Sequence, residues 1–166
     1  MKRAIPNTLS ILANCLAVLI ALHLVAQAVL AQADGGQPIT LAEAGRARCQ
    51  IVAVLDVDGI EAYAANTLAG YLREMTGAEF PVVSPDEHEV DQPAIFVGLS
   101  EPALERLGPE PLAKLRDQEH VARSIGPDIL LYGKGHRASL DAVMVFLEST
   151  LGWRWYSFLE KPVVPK

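Results

Sequence analysis

Cysteine is almost missing from this 166-residue chain, which has only Cys15 and Cys49. Cys15 lies inside an N-terminal apolar run, so a chain cut after that run keeps Cys49 alone and can form no intrachain disulfide. Runs of positive charge are missing as well. There are 14 Lys and Arg against 20 Asp and Glu, an acidic balance that argues against nucleic acid or an anionic membrane surface as partner. Metal-ligand spacing is absent: His120 and His136 have no partner four residues away and no usable cysteine, so no zinc site is expected. Ser139 lacks a G-x-S-x-G elbow and reads as a helix N-cap. No motif assembles a nucleophile, a base and a third orienting group, and no cofactor is expected. Internal repeats and low-complexity tracts are also lacking. Aromatic residues make up 6% of the chain, yet Trp153, Trp155 and Tyr156 fall within four positions near its end.

The first 33 residues read as a signal peptide. Lys2 and Arg3 form a positive start, Thr8 to Ala31 is nearly all apolar, and Ala31-Gln32-Ala33 offers small residues before polar Asp34-Gly35-Gly36. The run is long enough to span a bilayer, so a retained anchor is the alternative. Cleavage removes two of the basic residues and none of the acidic ones, leaving 133 residues with a net charge of −8. That length supports one domain with a modest core. The expected location is periplasmic or extracellular, with membrane contact only through the signal segment.

Beyond the signal, Pro38 to Ala44 and Arg48 to Leu55 read as two strands separated by Gly45, a hairpin. Asp56 to Gly77 reads as a helix, with Asp58 and Glu61 spaced as a capping box and an apolar stripe of Ile60, Tyr63, Ala64, Leu68, Tyr71, Leu72 and Met75. Gly77 closes it. Phe80 to Val83 and Ala94 to Leu99 read as strands, the second apolar enough to be buried on both faces. Between them, SPDEHEVDQP (Ser84 to Pro93) reads as a solvated acidic loop. Glu101 to Leu115 is a proline-interrupted, partly helical connection. Glu119 to Ile125 and Asp128 to Tyr132 read as an antiparallel pair turned by Gly126-Pro127-Asp128. A second helix covers Ala138 to Leu151, Gly152 stops it, and Trp153 to Tyr156 returns as a strand with both tryptophans on one face. They read first as core packing and second as a ligand platform. The order β-β-α-β-β-(α)-β-β-α-β predicts an α/β fold of α+β-like, two-layer form: a mixed sheet with two principal helices packed on one face.

Two short runs invite a chemical reading. Gly133-Lys134-Gly135-His136-Arg137-Ala138 matches the loose dinucleotide pattern G-x-G-x-x-[GA], but it lies late in the chain with no parallel unit after it, so a glycine-permitted turn is the plainer reading. Its two basic side chains at a helix start suit a carboxylate or sugar surface. Together with Arg154 and Tyr156, His136 and Arg137 are the candidate carbohydrate-binding residues. Asp56, Asp58 and Glu61 resemble a fragment of a calcium loop without its closing ligand, and capping explains them better.

YLREMTGAEFPVV (Tyr71 to Val83), PAIFVGLSE (Pro93 to Glu101) and DILLYGKGHRASLDAVMVFLESTLGWRWY (Asp128 to Tyr156) carry a family resemblance. Their order resembles the N-terminal, non-barrel domain of bacterial α-glucuronidases and related exported glycoside hydrolases. It is also similar to the small domain preceding the barrel in β-N-acetylhexosaminidases. Asp141 stands where an aromatic residue is common in that pattern. The resemblance implies a domain over residues 34–160, then residues 161–166 as the start of a linker to a (β/α)₈ barrel. It also implies that catalytic carboxylates belong to the barrel. No catalytic residue is therefore expected among these residues. The expected function is an accessory domain in xylan-type polysaccharide degradation, partnered by a barrel or by carbohydrate. The alternative is a free-standing carbohydrate- or protein-binding module.

Overall fold

A computed structural model describes residues 38–57, 59–108, 113–156 and 162–165. The chain divides into two compact units, Met1–Gly36 and Gln37–Lys166. The first, and with it the expected signal segment, lies outside the described residues. Among the described residues no helix is long and apolar enough to cross a membrane.

Gln37–Lys166 is built on β1 (Ala42–Glu43), β2 (Arg46–Ala47), β3 (Gln50–Ala53), α1 (Ile60–Thr76), β4 (Val82–Val83), β5 (Ala94–Val97), α2 (Glu101–Leu107), β6 (His120–Ile125), β7 (Asp128–Gly133) and α3 (Ala138–Val145). The main sheet runs β4-β3-β5-β7-β6. Its first four strands are parallel and β6 is an antiparallel edge. Ile51, Ile95 and Ile129 lie in register across β3, β5 and β7.

Period-two alternation decides which face each strand residue covers. Ile51, Ala53, Ile95, Val97, Ile129 and Leu131 point to the layer of α1 and α3, meeting Leu68 and Leu72 from one helix and Val143 and Leu147 from its neighbour. Val52, Phe96, Leu130 and Tyr132 face the other way, against Ala103 and Leu107 of α2. The mixed sheet with two principal helices on one face is as the sequence predicts, and α2 adds cover on the opposite face. Parallel strands need that double cover, which is why QIVA and AIFV are buried at every position.

The structure departs from the sequence reading in several places. The hairpin is confined to β1 and β2, turned by Ala44 (φ +50°) and Gly45 (φ +73°). Left-handed values at both turn positions match the twist of a two-residue hairpin. β3 does not join that pair; it lies parallel between β4 and β5. α1 begins at Ile60 with Gly59 at its N-cap position and no side-chain cap bond there. Asp58 lies outside the described residues. Tyr63, expected in the apolar stripe, is exposed, and Ala65 is buried in its place.

The run after Gly152 also differs. Trp153 to Tyr156 makes one isolated antiparallel bridge, Arg154 to Val163, and does not join the main sheet. Gly152 (φ +82°) turns the chain at the end of α3, and Trp153 then inserts fully into the core under α1 and α3. The segment is drawn onto the helical layer because its aromatic partner, Tyr71, stands on α1. The side-chain alternation is as expected: Trp153 is buried and Trp155 half-buried, while Arg154 and Tyr156 are exposed. Residues 162–165, in the stretch expected to be a linker, double back through the Val163 N–H, which donates to the Arg154 carbonyl at 2.9 Å.

Candidate functional site

In parallel sheets, ligands gather beyond the carboxyl ends of the strands, at the point where successive crossovers diverge. Here that point lies between β3, whose crossover leads to β4, and β5, whose continuation leads toward β7. Glu61, in the first turn of α1, fills it. A side chain at Gly98 (φ +91°), just past β5, would run into the Glu61 carboxyl group. Burial raises that carboxyl above its ordinary range, the Leu99 backbone N–H donating to it works the other way, and the charge of Asp56 raises it further. Glu61 thus serves the turn after β5 rather than a capping box.

The Gly133–Ala138 stretch is a close-packed strand-to-helix turn. A Cβ at Gly133 would press into the Glu119 carbonyl and the Ala138 side chain, and Gly135 takes φ +120°. The Gln118 N–H donates to the Lys134 carbonyl at 2.7 Å and the Lys134 N–H to the Glu119 carbonyl at 2.9 Å, so β6 and the turn are tied together. His136 and Arg137 are exposed at this end of α3.

Arg154 and Tyr156 lie at the other end. α3 continues from Phe146 to Thr150 as a π turn, and at about 1.5 Å per residue the helix separates the two pairs by roughly 20 Å. The structure therefore brings His136 together with Arg137, and Arg154 together with Tyr156, but does not unite the four in one surface. The Arg154 guanidinium donates to the carbonyls of Glu148, at 2.6 Å, and Trp153, at 2.8 Å. The Glu148 carbonyl lies in the last helical turn, where carbonyls lack intrahelical partners, so Arg154 acts there as a side-chain cap. Tyr156 is 75% exposed.

Sequence reasoning missed a polar cluster at the amino edge of the sheet. Gln50, at the head of β3, is 3% exposed. Its amide Nε2 donates to His88 Nδ1 and to the Glu89 carbonyl, both at 2.9 Å, while its Oε1 accepts from the Glu89 N–H at 3.4 Å. The His88 ring stands edge-on to Phe96 with centroids 5.2 Å apart, and the Arg106 guanidinium lies 5.7 Å from the same Phe96 ring centre. Arg106 Nε donates to Asp128 at 3.0 Å, and the other Asp128 oxygen accepts the Ala94 N–H at 2.9 Å. The segment expected to be a solvated acidic loop is therefore anchored into the fold at His88 and Glu89. One signal was available: a glutamine heading an otherwise apolar strand must find partners when buried.

No family model matches the chain, and no curated protein matches it. Among solved structures, it is similar to a GH138 enzyme targeting pectin rhamnogalacturonan II, at 14% identity and a TM-score of 0.39, over 69% of this chain. The match spans 15% of that enzyme's length.

Proposed function

We propose that this chain is an exported accessory domain of the kind that precedes the catalytic barrel in α-glucuronidase-like glycoside hydrolases, acting in polysaccharide degradation and not hydrolytic by itself. The observation that carries this reading is the use to which its most distinctive motif is put. In LESTLGWRWY, Leu147 and Trp153 are buried in the core, Gly152 makes the left-handed turn, Arg154 caps the helix end, and Trp155 donates from Nε1 to the Tyr71 hydroxyl at 3.3 Å. Those residues are spent on holding a rigid layer together, which is what a supporting domain requires of them. The α+β class with two helices on one face agrees with the architecture that the sequence resemblance implies.

The test is turnover. Purified protein lacking residues 1–33, incubated with aldouronic acids and aryl glycosides, is expected to release no product above buffer. Release of glucuronic acid or aglycone would overturn the reading. A glycan panel gives the complementary measurement: binding lost on Tyr156→Ala would favour the free-standing module instead.

A further inference from the structure

We propose that His88 is a proton-operated latch that holds the segment between β4 and β5 against the amino edge of the sheet. The geometry fixes the protonation state. Gln50 meets the Glu89 peptide with both ends of its amide, carbonyl to N–H and NH₂ to carbonyl, so its orientation is set and its second Nε2 proton points at His88 Nδ1. Nδ1 must then be an unprotonated acceptor, and the neutral ring carries its proton on Nε2. Nε2 is buried with no hydrogen-bond partner among the described residues, so the ring has nothing to gain there by becoming a cation. A second proton on Nδ1 would set donor against donor and break the contact with Gln50.

Of the charged neighbours, Arg106 acts in the same sense and Asp128 against it. From α2, Arg106 shares the Phe96 ring with His88 and opposes a second positive charge. From β7, Asp128 favours one, but both of its oxygens are committed, to Arg106 and to the Ala94 N–H. On the segment itself, the Glu87 carboxylate accepts from the Ser84 N–H and hydroxyl, and Glu89 contributes its backbone. Burial, then Arg106, hold the His88 ring below its ordinary 6.5, with Asp128 opposing them.

The sign follows from linkage. A histidine depressed in the closed state contributes its stabilisation above the ordinary value, and that contribution is lost as pH falls toward the closed-state value. The segment is therefore shut at neutral pH and released by acid, uncovering Gln50 and Phe96. This device is independent of the accessory-domain reading, and either can fail alone.

The experiment is an NMR titration of the full chain with amide exchange followed in parallel. ¹⁵N shifts are expected to show the neutral His88 proton on Nε2. Protection of amides in residues 84–93, corrected for intrinsic rates, is expected to fall up to about tenfold per pH unit below 6.5. His88→Leu keeps an apolar contact for Phe96 and is expected to abolish that slope. A neutral ring protonated on Nδ1 would overturn the proposal. So would His88 titrating at or above its ordinary value, or unchanged protection across the titration.

Discussion

The Trp153 indole stands edge-on to the Tyr71 ring, with centroids 4.7 Å apart and planes at 68°. Trp155 completes the group, stacked 6.2 Å from Trp153 and edge-on to Tyr71 at 5.5 Å. This trio fastens the end of the chain to α1. Trp153→Ala is expected to cost about 3–5 kcal/mol through cavity formation, read by denaturant unfolding followed by circular dichroism. Tyr71→Phe keeps the ring and removes only the acceptor for Trp155, so about 1 kcal/mol is expected.

Two glycines are expected to fail for different reasons. At Gly98 the obstructing atoms are the flexible tip of Glu61, while the backbone sits at φ +91°. Gly98→Ala should cost about 1–3 kcal/mol, and Glu61→Ala in the same chain should recover only the steric part. At Gly133 the obstacles include the Glu119 carbonyl and the His120 backbone in the paired strand, which no rotamer change can clear. Gly133→Ala is expected to be the more damaging substitution. Melting temperatures of the three variants test the contrast.

Glu61 predicts a pH dependence opposite to that of most carboxylates. Its proton is held more tightly in the folded chain than at the ordinary 4.5. The stabilisation is therefore present below 4.5 and is lost as pH rises through the higher folded value. Glu61→Gln, which cannot ionise, should flatten that slope. Urea midpoints measured from about pH 4 to about pH 7 compare the two chains directly.

Much of the layered architecture was legible in the sequence because it is written in local periods. The apolar runs of β3 after Gln50 and of β5, and the stripe of α1, each span a single element, and hydrophobic burial follows from that pattern alone. The end of the chain was half legible: alternation places Trp153 and Trp155 on a common side, but a strand pattern cannot reveal that Tyr71 on a helix is the better partner. The amino-edge cluster was not legible. Its members come from β3, the segment before β5, α2 and β7, and Gln50 and His88 are 38 residues apart. No spacing rule connects them, so an acidic composition hid a histidine that folds inward. Glu61 reads in the sequence as a capping residue, yet its carboxyl serves a backbone turn far along the chain rather than its own helix start.

Cys49 should be chemically quiet. Burial pushes its thiol up to about 11, leaving roughly one thiolate in a thousand at pH 8. In a Cys15→Ser background, reaction with DTNB is expected to be at least about 100-fold slower in the native chain than in denaturant.

The π turn at Phe146–Thr150 sets the phase of everything beyond it. The Leu151 N–H reaches the carbonyl of Phe146, five positions back, at 3.2 Å, so this winding holds one residue more than an α-helical turn. Excising Ser149 would remove that surplus residue and let the winding relax to an ordinary α-helical turn, leaving the following chain close to its present phase. The same deletion within Ala138–Val145 has no surplus to absorb it and would swing everything beyond by about 100°, turning the indole of Trp153 away from its seat beneath the helices. The wide winding is thus a stretch of this helix that can lose a codon and still deliver the indole to its socket.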